Sequence, residues 1–136
     1  MRVVVDTNVF ISSFFGGYPR TVIDFWKTGR IMLCITTPIV DEYVDVLQRL
    51  GLADSKEIHE ILAIFKKQIH CVYTSRTPSL SICSDSSDNK FLEAAVALDA
   101  TIIVSGDRHL KSLKKYADIT ILSPKEFVDL IEKQKP

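Results

Sequence analysis

Residues 2–8 of the chain read Arg-Val-Val-Val-Asp-Thr-Asn, three valines followed by three short polar residues. Three consecutive valines predict a short strand that is buried on both faces, because a strand with one solvent face would alternate apolar and polar residues. The Asp-Thr-Asn that follows is typical of a helix start, since short polar side chains cap the first turn. The stretch therefore predicts a strand that passes directly into a helix, as in a parallel sheet covered by helices.

The rest of the chain continues this alternation of strands and helices. Apolar runs predict further strands over 31–35, 70–73, 101–104 and 118–122, and helical periodicity predicts helices over 21–28, 37–50, 55–69 and 87–98. Thr37 is the expected N-cap of the second of these helices, and Ser123-Pro-Lys-Glu126 is a capping box that opens the last helix. We predict one domain over residues 1–136, a three-layer α/β/α fold with a central, mainly parallel sheet of four to five strands.

Charge and composition limit the kinds of partner. The chain has 17 Lys and Arg residues and 17 Asp and Glu residues, so it does not hold nucleic acid by bulk positive charge. No apolar run approaches the length of a membrane span, and no signal-type segment precedes the first strand. Cys34, Cys71 and Cys83 are odd in number and lack Cys-x-x-Cys spacing, which favours reduced thiols. We expect a cytoplasmic protein with no membrane partner.

Two acidic residues fall near the carboxyl ends of predicted strands. Asp6 follows the first strand directly, and Asp107 follows the 101–104 strand after a Ser-Gly turn. Ligands of open α/β sheets bind at this edge, so we expect both carboxylates on one rim if the strands are neighbours. Helical spacing adds two more acids: Glu42 lies on the border of an apolar stripe, and Asp88 shares the buried face of its helix.

Each of these acids also has a purely structural interpretation. Asp6 could cap a helix, Asp88 could form a capping box with Asp85, Glu42 suits a helix N-terminus and Asp107 suits a turn. Four carboxylates at one edge would nevertheless repel one another. The basic residues nearest to them in sequence, Lys90 and Arg108, follow the acids, so we expect no base of the chain to relieve the repulsion. A hard, oxygen-seeking cation relieves that repulsion. The expected cofactor is therefore Mg²⁺ or Mn²⁺.

Four blocks of the sequence resemble the PIN domain family. They are Asp6-Thr7-Asn8-Val9-Phe10, Pro38 with Glu42-Tyr43 and Val46-Leu47, Asp85 with Asp88-Asn89-Lys90-Phe91-Leu92, and Val104-Ser105-Gly106-Asp107. The resemblance runs from Arg2 to about the last predicted helix, and it is nearest to the branch that contains toxins of toxin–antitoxin pairs. The third block departs from the family's frequent Asp-Pro-Asp-Asp, since residues 85–88 read Asp-Ser-Ser-Asp, and Ser105 replaces a more usual threonine.

The resemblance implies a metal-dependent endoribonuclease. Its catalytic and metal-binding acids correspond to Asp6, Glu42, Asp88 and Asp107, and the polar residues that support them to Asn8, Ser105 and Asp85. The expected reaction is in-line hydrolysis of RNA by metal-activated water, with one or two ions and with Glu42 as a ligand or general base. The alternative is a PIN-like module that binds RNA or protein without cleaving it. The expected partners are RNA, an antitoxin protein and a second copy of the chain.

Basic and aromatic residues have two interpretations each. Arg108 and Lys111, with Lys114 and Lys115, form either a phosphate-steering patch or a solvated helix face. Phe14, Phe15 and Tyr18 are either contacts for a partner or part of the core, and the core is the favoured interpretation for aromatic residues.

Other enzyme classes fit poorly. A haloacid-dehalogenase-type phosphatase needs a second aspartate where Asn8 stands, and a receiver domain needs a lysine after a later buried strand, which we do not find. Gly16-Gly17 is not followed by the Gly-Lys-Ser/Thr of a P-loop.

Overall fold

The computed structural model describes residues 1–52, 54–83 and 86–134. Within them, the strands are β1 (Arg2–Val5), β2 (Met32–Thr36), β3 (Cys71–Thr74), β4 (Ile102–Val104), β5 (Lys115–Tyr116) and β6 (Ile119–Leu122). The helices are α1 (Thr7–Ser12), α2 (Gly17–Lys27), α3 (Thr37–Arg49), α4 (Lys56–Lys66), α5 (Asn89–Ala97), α6 (Arg108–Leu113) and α7 (Pro124–Lys133). Short 3₁₀ turns, Ser13–Phe15 and Ser86–Asp88, precede α2 and α5. None of the helices in this described part is long and apolar enough to cross a bilayer.

The strands of the described residues form one sheet in the order β3-β2-β1-β4-β6-β5. All neighbours are parallel except β5 and β6, which are antiparallel. The predicted α/β/α class with a mainly parallel sheet is confirmed. The six strands are one more than the upper bound of the predicted four to five, because β5 has two residues and is too short to show an apolar pattern.

The centre of the sheet contains a topological switch point. The chain leaves β1 toward β2 and later returns on the other side of β1 as β4, where Val5 pairs with Val104. Because the two crossovers run in opposite directions along the sheet, right-handed connections place α2 and α5 on opposite faces. A crevice for ligands is expected where such directions diverge, at the carboxyl ends of β1 and β4.

The burial of its valines agrees with the central position of β1 in the sheet. Val3, Val4 and Val5 are fully buried, as expected for a parallel strand covered on both faces. Between α1 and α3 the core contains aromatic residues, and Phe10 of α1 stacks on Tyr43 of α3 with ring centroids 4.1 Å apart. Burying a side chain of this size contributes about 1.5–3 kcal/mol, so the pair fixes α1 against α3.

Helix starts follow the predicted capping chemistry with one correction. The capping box of α7 is confirmed, since Glu126 N donates to Ser123 Oγ (3.1 Å) and Ser123 N donates to Glu126 Oε1 (2.9 Å). The N-cap of α3 is Thr36 rather than Thr37, because the Thr36 hydroxyl accepts from Ile39 N at 3.4 Å. Two adjacent threonines offer the same capping group, and the strand end places the first of them at the cap.

Candidate active site

A cleft of about 290 Å³ opens at the carboxyl ends of β1 and β4. The residues that line it include all four acids singled out from the sequence: Asp6, Glu42, Asp88 and Asp107. They come from four separate segments of the chain, so the fold and not local sequence brings them together. The structure thus places these four carboxylates at one cleft, next to the switch point of the sheet.

Asp6 is the most deeply buried of the four. Its Oδ1 accepts from Val9 N (2.8 Å), which caps α1, and its Oδ2 accepts from the Ser105 hydroxyl. Burial raises the pKa of Asp6 from 3.8 to about 6; the bonds from Ser105 and Val9 lower it, while the negative charges of Asp107 and Glu42 raise it further. The helix-capping interpretation of Asp6 is therefore correct, and the same carboxylate faces the cleft.

Ser105 connects two of the acids. It is fully buried, donates to Asp6 and accepts from Asp107 N at 2.9 Å. Asp107 in turn caps α6, because its Oδ1 accepts from His109 N (2.7 Å) and Leu110 N (3.2 Å). Asp107 is thus a helix cap and not only a turn residue, because the chain passes directly from it into the short helix α6. One buried hydroxyl therefore links the residues that follow the two strands, Asp6 after β1 and Asp107 after β4.

Glu42 is oriented by the residue beside it. The Tyr43 hydroxyl donates to Val5 O, at the end of β1 and next to Asp6, while its ring stacks on Phe10. This anchor fixes the turn of α3 that carries Glu42. The Glu42 side chain remains 30% exposed at the cleft.

Two residues outside the predicted site, Thr7 and Lys90, hold the Glu42 carboxylate. The Thr7 hydroxyl donates to Oε1, and the Lys90 ammonium pairs with Oε2. The expectation that no base of the chain relieves the acids is wrong, since Lys90 pairs with Glu42 from the first turn of α5. Lys90 is 48 residues from Glu42 in sequence, so only the packing of α5 near α3 reveals the pair.

Asp88 ends the 3₁₀ turn before α5 and is buried. The next residue, Asn89, is also buried, and its Oδ1 accepts from Ile82 N (3.2 Å) and Cys83 N (2.8 Å). These bonds hold the preceding segment against the start of α5, where Asp88 enters the cleft. Asp85, predicted to support the site or to form a capping box with Asp88, lies outside the described residues.

The sequence that builds this cleft matches a known protein family. Residues 2–109, which include the four acids, match the family model of the PIN domain. The chain belongs to the PIN domain family. An uncharacterized protein of Methanocaldococcus jannaschii is 31% identical to this PIN domain over 147 aligned positions, which cover 98% of this chain and 93% of that protein. PIN domains are generally nucleases, so the chain has a nuclease-type fold.

The remaining predicted site residues lie at the rim of this PIN domain's cleft or on α6. Asn8 is exposed and lines the cleft. Arg108 and Lys111 are exposed on α6, so either interpretation of that basic patch remains a prediction. The cleft lining also includes Arg49 of α3, which the sequence analysis did not select and which pairs with Asp45 at 3.2 Å.

The donor set suits a hard divalent cation. Four carboxylates supply oxygen ligands, the kind that Mg²⁺ and Mn²⁺ prefer. The described residues contain no group of three or more His, Cys, Asp or Glu side chains already arranged to hold a metal ion. Mg²⁺ commonly binds through one or two carboxylates and keeps several waters, so a cleft of this size fits such an ion. A cation would also relieve the repulsion that Asp107 and Glu42 exert on Asp6.

The aromatic residues before α2 depart from expectation. Phe15 is 75% exposed and Tyr18 is also exposed, so the favoured assignment of both to the core is wrong. Phe14 is partly buried and makes an edge-on contact with Phe10, with ring centroids 5.9 Å apart. Consecutive residues of a 3₁₀ turn point in different directions, so when Phe14 takes the inward position Phe15 is directed outward.

Proposed function

We propose that this PIN domain is a metal-dependent endoribonuclease that hydrolyses phosphodiester bonds of RNA. The observation that carries the proposal is the cleft shared by Asp6, Glu42, Asp88 and Asp107. A structural role for each acid alone would not explain why four carboxylates converge where their charges repel, since convergence raises the cost of ionising the buried one.

The three aspartates are the proposed metal ligands. Ser105 donates to the Asp6 carboxylate, and the backbone N–H groups of His109 and Leu110 donate to that of Asp107, so the oxygens of both acids are positioned before any ion binds. Asp88 enters the same cleft from the start of α5. When bound, Mg²⁺ or Mn²⁺ would lower the pKa of water and stabilise negative charge on the phosphate.

Glu42 is the proposed general base. Held by Thr7 and Lys90, it would accept a proton from the water that attacks phosphorus. The new bond joins the water oxygen to phosphorus, the bond from phosphorus to the 3′ oxygen breaks, and that oxygen takes a proton. The products are a 3′-hydroxyl and a 5′-phosphate.

The family likeness supports RNA as the substrate and a cytoplasmic toxin of a toxin–antitoxin pair as the biological setting. In that setting the partners would be an antitoxin protein and a second copy of the chain. The exposed Phe15 and Tyr18 are available for such contacts.

The first test compares wild type with Asp6→Asn on mixed RNA and on DNA, with Mn²⁺, Mg²⁺ or EDTA. We expect cleavage of RNA by the wild type with either metal, a loss of about a hundredfold or more in Asp6→Asn, and none in EDTA. Asp41→Asn is the matched control, because Asp41 is exposed on α3 and is not among the described residues that line the cleft. Equal activity of Asp6→Asn and wild type would contradict the proposal. RNA binding that EDTA abolishes, without cleavage under any metal, would favour the non-cleaving module.

A further inference from the structure

Lys90 is a charged residue that contacts the site, and the proposed reaction gives it no role beyond holding Glu42. Its ammonium pairs with Glu42 Oε2 and donates to Ser87 O at 2.7 Å. The side chain is only 20% exposed, and its Nζ lies 5.7 Å from the centre of the Phe91 ring. Lys90 is therefore held in place and is not a solvated lysine that pairs by chance.

The contacts of Glu42 leave this carboxylate poorly suited to a metal. Thr7 donates to one oxygen, and the positively charged Lys90 ammonium already pairs with the other. A divalent ion bound at Glu42 would lie close to the Lys90 ammonium, and two cations on one carboxylate repel each other. The aspartates differ, because Asp6 and Asp107 are held by neutral donors: a hydroxyl and backbone N–H groups.

We propose that Lys90 takes the place of a second metal ion. This inference rests on the proposed function and states how many metal ions each chain binds. One divalent cation binds at the aspartates, while the positive charge of Lys90 neutralises Glu42 and excludes a second ion there. Lys90 is a positioning residue, since it acts through Glu42. The arrangement keeps Glu42 out of the metal's coordination sphere, and so available as a base.

The test is the number of Mn²⁺ ions bound per chain, measured by titration calorimetry without RNA. Wild type is expected to bind one ion. Lys90→Met, which removes the charge but keeps an unbranched side chain, is expected to bind two. Lys90→Gln can still donate a hydrogen bond to Glu42 and is also expected to bind two, because charge and not hydrogen bonding excludes the ion. Lys90→Arg keeps the charge and is expected to bind one, and circular dichroism checks that each variant is folded.

The outcomes separate this inference from the proposed function. Two ions in the wild type, together with metal-dependent cleavage, would overturn the inference and leave the proposed function standing. One ion of equal affinity in wild type and in folded Lys90→Met and Lys90→Gln would also overturn it, as would two ions in Lys90→Arg. A wild type that binds no Mn²⁺ and cleaves no RNA would contradict the proposed function itself.

Discussion

Asp6 caps α1 and faces the cleft with the same carboxylate. The two roles are compatible because one oxygen takes the backbone N–H of Val9 and the other takes the Ser105 hydroxyl. Burial raises the free energy of the ionised carboxylate, and without a neighbouring cation the pKa of Asp6 is therefore raised to about 6. The Ser105 hydroxyl offsets part of that cost and links Asp6 to the backbone of Asp107.

Removing the Ser105 hydroxyl should therefore weaken the site without unfolding the protein. We expect Ser105→Ala to lower Mn²⁺ affinity and RNA cleavage by about tenfold or more, because residues that orient metal ligands have effects of this size. Ser105→Thr restores the hydroxyl and should stay near the wild type. The readouts are calorimetric Mn²⁺ affinity and initial cleavage rate. Equal metal affinity in Ser105→Ala and wild type would show that the hydroxyl does not position Asp6 for an ion.

Some of these residues could be predicted from the sequence, while others could not because their role depends on a distant contact. Asp6 and Asp107 were predicted because position after a strand can be read from the sequence. Thr7 and Lys90 were not, because their meaning depends on Glu42, which lies 35 and 48 residues away. Long-range pairs of this kind appear only when the packing of α1, α3 and α5 is known.

Among the elements, those with several turns or a full apolar strand were predictable. The helices α3 and α5 and the strands β1 and β4 each carry a periodic or continuous apolar pattern. In contrast, α6 has six residues and β5 has two, too few for any period to emerge. Their formation depends on context: Asp107 caps α6, and β5 pairs with β6.

The capping box of α7 makes a prediction about stability and pH. Ser123→Ala should lower the free energy of unfolding by about 1 kcal/mol near neutral pH, because the first turn loses its side-chain cap. Hydrogen bonds from the backbone and side chain of Ser123 hold the pKa of Glu126 below its ordinary 4.5. Because the pKa is lower in the folded protein, ionised Glu126 stabilises the fold at pH values above 4.5. That stabilisation is lost as the pH falls through the lowered pKa.

Urea denaturation across pH would measure this effect. The difference between wild type and Ser123→Ala should be largest near pH 7 and should narrow below about pH 4.5 as Glu126 becomes protonated. Ser123→Thr keeps a capping hydroxyl and serves as the control. A difference that stays constant down to acid pH would show that the Ser123 hydroxyl does not help to keep Glu126 ionised, since Ser123→Ala keeps the backbone N–H that also bonds Glu126.

For the whole molecule, strand order determines which acids meet. The alternation of strands and helices predicted the fold class, but the strand order, in which β1 lies between β2 and β4, could not be predicted from it. That order places Val5 beside Val104, and so brings the residues after β1 and β4 to one edge. Strand order is set by how the helices pack on both faces, which a single strand's sequence does not encode. The family match to residues 2–109 contains this arrangement and stops before α7.

The most direct measurement is anomalous X-ray diffraction from crystals grown with Mn²⁺. We expect one anomalous peak in the cleft, among the carboxylates of Asp6, Asp88 and Asp107, with oxygen ligands and without direct coordination by Glu42. A cleft without a peak, at a Mn²⁺ concentration that supports cleavage, or an ion bound only elsewhere on the protein, would contradict this expectation.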